Sequence, residues 1–186
     1  MRLAPLLLLL LVPAPALAAP AAKPVPTMVT EEQLFAQLKK AQSTEEAHPI
    51  EEKLEGMFRA SGSASVDLLM TRAQAAAAAD DKAVARKLVD SITRIAPNYA
   101  EGWRSRAAME REANDDTAAL VSLQKAVLLN PRHFDALTEL GSMLEEYGDK
   151  AGALKLYRRA LELDPQLEGA ARHVKSLMQT VEGRDI

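Results

Sequence analysis

An all-α fold assembled from stacked helix pairs is predicted by three features of the sequence. Pro97, Pro131 and Pro165 recur at a spacing of 34 residues, each closing a stretch of helical periodicity. Alanine is abundant, and the chain has only one Trp, three Tyr and three Phe. That composition favours closely packed helices over a sandwich or barrel, where β-branched and aromatic residues dominate. Cysteine is absent, so no disulfide staples the fold and stability rests on packing.

Residues 1–18 have the layout of a secretory signal: Arg2, an apolar run from Leu6 to Val12, the helix-breaking Pro13-Ala14-Pro15, and small residues at Ala16 and Ala18. Cleavage is expected after Ala18. The run is far shorter than the roughly 20 residues that span a bilayer, so no stable membrane anchor is expected and the periplasm is the expected location. Residues 19–29, with Pro20, Pro24 and Pro26, form an extended lead-in.

Residues 30–60 read as an N-terminal helix pair, a degenerate repeat. Thr30-Glu31-Glu32-Gln33 has the pattern of a capping box, followed by the apolar stripe Leu34, Phe35, Leu38 and Ala41. A second helix is expected from Pro49, a favoured first-turn proline, with Ile50, Leu54, Met57 and Phe58 on one face. The small, polar Ser61 to Ser65 reads as a break. Three repeats follow at 66–99, 100–133 and 134–167, and Ala170, Ala171, Val174, Leu177, Met178 and Val181 give a capping helix over 168–182.

With each proline as anchor, the third repeat places Leu140-Gly141, Ala153, Tyr157, Ala160 and Pro165 in register. The second places Trp103, Ala107, Ala119, Leu123, Ala126 and Pro131. The first has Leu69, Ala73, Ala85, Val89, Ile92 and Pro97 in the corresponding places. This pattern resembles the tetratricopeptide repeat, and the resemblance implies a right-handed α-solenoid. Arg106 and Glu110 depart from it, standing where the family prefers leucine and tyrosine. Small residues such as Gly141 and Ala153 let paired helices cross closely, while Trp103, Tyr157, Leu123 and Leu137 are expected to fill the gaps between consecutive helices. Including the Pro131-Arg132-His133-Phe134 turn and the Glu182 to Ile186 tail, the chain resembles short exported tetratricopeptide proteins of alphaproteobacteria.

No catalytic constellation stands out. His48, His133 and His173 lack metal-ligand spacing, and no glycine-rich phosphate loop or nucleophile elbow is present. Adjacent acidic residues such as Glu145-Glu146 point in different directions on a helix. The expectation is a non-enzyme with no cofactor and no metal. The formal net charge of −3, one unit more negative once Arg2 is removed, argues against a nucleic-acid partner.

The resemblance implies that the first helices of successive pairs line a concave groove that receives a partner protein. The lining positions are Met70 and Gln74 in the first pair; Glu101, Arg104, Ser105 and Arg111 in the second; and Asp135, Thr138, Glu139, Ser142 and Glu145 in the third. Arg104 and Arg111 are the best candidates for a specific contact. The relatives that grip chaperone C-termini use a lysine, asparagine and arginine clamp, and the matching positions here are Met70, Gln74, Ser105, Asp135 and Glu139. An acidic C-terminal tail is therefore not expected to bind. The expected function is that of a periplasmic adaptor binding a cell-envelope protein. A holdase-like assembly factor and a non-catalytic activator of an envelope enzyme are the alternatives, and self-association is possible.

Overall fold

A computed structural model describes residues 29–183; the expected signal segment and lead-in, up to Met28, and the last three residues lie outside the described residues. Nine helices and no strand occur among the described residues. They are α1 (Glu31–Leu38), α2 (Thr44–Arg59), α3 (Ala64–Ala78), α4 (Lys82–Ile95), α5 (Ala100–Glu112), α6 (Asp116–Leu129), α7 (Phe134–Glu146), α8 (Lys150–Leu163) and α9 (Glu168–Glu182). The pairs α3–α4, α5–α6 and α7–α8 stack in order, and α9 packs on α8.

The 34-residue period reaches the backbone and the caps. Asp80, Asn114 and Gly148 end the first helix of each pair with positive φ, of 58°, 57° and 88°. Asp, Asn and Gly are the residues that tolerate this left-handed conformation best. The next residue in each case, Asp81, Asp115 or Asp149, accepts a hydrogen bond from the N–H three residues on and caps the second helix. At the close crossing in the third pair, a Cβ on Gly141 would lie 3.1 Å from the Tyr157 ring, which leaves little room for a side chain. Leu123, Leu137 and Tyr157 are buried as inter-helix filling requires. Trp103 is not: it is half-buried, its indole N–H donates to the Pro97 carbonyl at 2.9 Å, and Arg106 lies over its ring. It braces a turn instead of filling a gap.

Arg106 and Glu110, the two departures from the repeat pattern, pair with each other. Arg106 Nε donates to Glu110 at 2.7 Å, and the Ser122 hydroxyl donates to the other carboxylate oxygen at 2.6 Å. Glu110 is buried, so its charge is kept by these two partners. Arg106→Ala is expected to cost about 2–3 kcal/mol, because it strips the buried carboxylate of its cation. The double change Arg106→Leu with Glu110→Tyr is expected to stay within about 1 kcal/mol of wild type in urea denaturation, since it removes both charges together.

The N-terminal helices run elsewhere than the order of the chain suggests. The Thr30–Gln33 capping box forms, but α2 begins at Thr44 on a Ser43 cap, five residues before Pro49. Pro49 sits inside the helix on an exposed side, so the Glu45 carbonyl that it leaves without a donor faces water. The α1–α2 pair does not stack ahead of α3 as a further repeat. Leu34, Phe35, Leu38, Ala47, Leu54 and Phe58 form one core with Phe134, Leu137 and Ala160 of the third repeat's helices.

α2 thus acts as a strap across the turns that follow each of the three pairs. Near its start, Gln166 donates to the Ala41 carbonyl at 2.9 Å. In its last turn, Phe58 packs on His133 and Phe134, and the Arg59 carbonyl at its end accepts from the Tyr99 hydroxyl at 2.6 Å. Sixteen helical residues reach about 24 Å, enough to pass all three turns. Arg132 fastens α1: its guanidinium lies 3.9 Å from the centre of the Phe35 ring and pairs with Glu31 and Glu32.

Candidate functional site

α3, α5 and α7 stand side by side and are joined by rungs between residues 35 apart. Ser105 approaches the Met70 sulfur at 3.6 Å, Arg104 pairs with Glu139 at 2.7 Å, and Arg111 pairs with Glu146 at 3.3 Å. The sequence-predicted groove residues therefore share one face, but they differ in what they can do. Gln74 and Arg111 are exposed; Arg104, Ser105, Thr138, Ser142 and Glu145 are half-buried; Met70 and Glu101 are buried.

Glu101 is the centre of this face. Arg104 donates to both of its carboxylate oxygens, at 2.8 and 2.9 Å, and His133 Nε2 lies 3.0 Å from one of them. A carboxylate only accepts, so His133 gives it the Nε2–H, and the buried Nδ1 is left without a partner. Burial alone would raise the Glu101 carboxyl, yet His133 and Arg104 outweigh it and hold the group down to about 2. Arg104 also ties Glu139, so its guanidinium is a structural bridge between α5 and α7. His133 in turn packs against Phe58, with ring centres 4.7 Å apart, which links the groove to the strap. Sequence register places Glu101 on the groove face but carries no sign that a residue of the following turn covers it.

Asp135 lies nearby, and burial raises its carboxyl while His133 and Arg104 pull the other way. Glu145 accepts from the Tyr157 hydroxyl at 3.1 Å and lies 2.8 Å from His173 Nδ1; the Tyr157 and His173 rings are stacked.

Two openings remain on the face. One, of about 200 Å³, lies between α3 and α5 and is walled mainly by Met70, Ala73, Ala77, Val89, Ala108 and Met109, with Arg104 and Ser105 at one side. None of its lining comes from α1 or α2. The second, of about 470 Å³, lies among α2, α7 and α9 and is bordered by Glu51, Thr138, Glu139, Ser142 and His173. Among the described residues no group of His, Asp and Glu has the clustering of a metal site, and no helix is long and apolar enough to cross a membrane.

The profile described as Tetratricopeptide repeat matches residues 134–167. A TPR repeat-containing protein of Rhizobium etli is 29% identical over 111 residues, which is 60% of this chain and 54% of that protein. The chain thus spans about half the length of this curated relative. Among solved structures, the first TPR of Spaghetti bound to the HSP90 peptide SRMEEVD aligns with 63% of this chain and 93% of its own, at 19% identity and a TM-score of 0.57. The Yersinia enterocolitica type III secretion chaperone SycD, in complex with a peptide of the translocator YopD, aligns with 64% of this chain and 94% of its own, at 15% identity and a TM-score of 0.55.

Proposed function

We propose that the chain, which matches the tetratricopeptide repeat over residues 134–167 and shares its fold, is a periplasmic scaffold whose α3–α5–α7 face holds a segment of a cell-envelope protein. The observation that carries the reading is the apolar opening between α3 and α5, which the strap leaves free and which has room for a large aliphatic side chain. Apolar pockets with a few placed polar groups are how such faces anchor a ligand. The signal-like segment ahead of Ala19 supports the location. Two of the structural relatives hold peptides on the same fold, which supports a peptide-sized ligand.

The chemistry of the face argues for a partner unlike the acidic SRMEEVD peptide. Of the five positions that correspond to a carboxylate clamp, Met70 is buried, Gln74 and Ser105 are neutral, and Asp135 and Glu139 are acidic. Calorimetric titration with SRMEEVD is expected to give no binding at millimolar concentration, because like charges would face each other.

Ala108 is the position from which to probe the face. It is exposed and borders the opening, so Ala108→Trp fills the space without disturbing the ion pairs. Affinity purification of tagged protein from its native envelope, identified by mass spectrometry, is expected to recover one stoichiometric protein that Ala108→Trp loses. Retention of that protein by the variant would move the binding site to another surface. Arg104 is unsuitable for this purpose, since its removal also exposes Glu101 to an unpaired burial.

A further inference from the structure

The grip of the strap on the turn between α8 and α9 depends on a pair of acids. Asp164 is fully buried where α8 gives way to α9; its Oδ1 accepts the Gln166 N–H at 2.9 Å, and its Oδ2 is shut from solvent with no N–H or O–H donor. Facing this turn is Glu51 of α2, whose side chain is only 16% exposed and borders the same cavity as Gln166 and Leu167, and its carboxyl interacts with that of Asp164. Two carboxylates in such a place repel, whereas one proton between them makes an O–H···O bond and gives Oδ2 its donor. The acid is not needed for the turn itself: in the preceding repeat Asn130 occupies the same position and accepts the Arg132 N–H at 3.0 Å.

The neighbours leave this proton without a substitute. On α2, His48 lies 3.7 Å from Glu51 but is 67% exposed, and Glu52 and Glu55 are acidic. α7 presents Glu139, already engaged by Arg104; α9 presents Glu168 and His173, the latter engaged by Glu145. On α1, Glu31 and Glu32 are taken by Arg132, and Lys39 and Lys40 are exposed.

We propose that the strap is a proton-operated latch, in which α2 holds the turn between α8 and α9 while Glu51 and Asp164 share one proton and loosens when that proton leaves. Burial, and then the neighbouring Asp164, push the Glu51 carboxyl up to about 7 from its ordinary 4.5, and burial raises Asp164 as well. The docked strap therefore keeps its proton across a range in which a free strap has lost it. By linkage, docking is tightest at or below about pH 4.5, weakens as pH rises from 4.5 to 7, and levels off above. Release at this end opens the cavity among α2, α7 and α9 beside the groove. The latch does not rest on the assignment of a partner to that groove.

Hydrogen–deuterium exchange of the whole chain at pH 5 and pH 8, corrected for intrinsic rates and with α5 amides as reference, tests the latch. Protection of the α2 amides, residues 44–59, is expected to fall about tenfold or more between the two pH values, within the limit of tenfold per unit for one proton. Glu51→Gln supplies an amide donor that cannot ionise, and Asp164→Asn reproduces the turn of the preceding repeat; both are expected to abolish the fall. A wild-type protein with equal protection at the two pH values overturns the proposal, and so does a fall that persists in both variants.

Discussion

Glu101→Ala is expected to lower the stability of the protein by about 3–5 kcal/mol in urea denaturation at pH 7, the cost of removing one partner from a buried ion pair. The loss follows from the environment of the carboxylate: 2% exposed, bound twice by Arg104 and once by His133. Arg104 would keep only Glu139, and His133 would have both ring nitrogens without partners in a dry site. The same residue predicts an acid limb. A carboxyl held down to about 2 when folded and near 4.5 when unfolded contributes its full stability above pH 4.5 and loses it as pH falls toward 2. That contribution is on the order of 3 kcal/mol. A pH series of unfolding free energies is expected to show this decline in wild type and a shallower one in Glu101→Ala.

Phe58→Ala is expected to cost about 3–5 kcal/mol, the range for deleting a buried aromatic side chain. Phe58 is the point where the strap meets the repeats, touching Phe35 on one side and His133 and Phe134 on the other. The cost should be divided unevenly. Exchange protection in α1 and α2 is expected to fall much further than in α5 to α8, because the repeats keep their own inter-pair cores, such as that of Ala107, Ala119, Leu123, Leu140 and Met143. Equal loss in all helices would show that the repeats cannot stand without the strap.

The architecture was legible because it is written in a period. The spacing of Pro97, Pro131 and Pro165 marks where pairs join, and small residues at Gly141, Ala153 and Ala107 mark where helices cross. A second set of markers at the same spacing, Asp81, Asp115 and Asp149, was equally available as helix caps. The placement of α1 and α2 was not legible, since an amphipathic stripe tells which side of a helix is buried and nothing about what buries it. Pro49 pointed to a helix start because a first-turn proline costs nothing; an exposed carbonyl made a later position tolerable. The candidate groove residues were assigned by register, which locates them on a face. Register cannot tell a free side chain from one already paired, so Glu101 and Arg104 appeared as contacts for a partner although they hold each other.

The strap also changes how such a chain can acquire its structure. A stack of helix pairs is close to one-dimensional: each pair touches its neighbours, folding can start anywhere, and the ends fray independently. Here the hydrogen bond from Gln166 to Ala41 joins residues 125 apart, and the first helices made have their binding surface on the last repeat. An N-terminal segment emerging first must wait, with Leu54 and Phe58 uncovered, until residues 134–167 have folded. Contacts of such long range slow folding and expose apolar surface on the way. In return they cover the last pair with the N-terminal helices, so unfolding is expected to begin with undocking of the strap and not with fraying of the last pair.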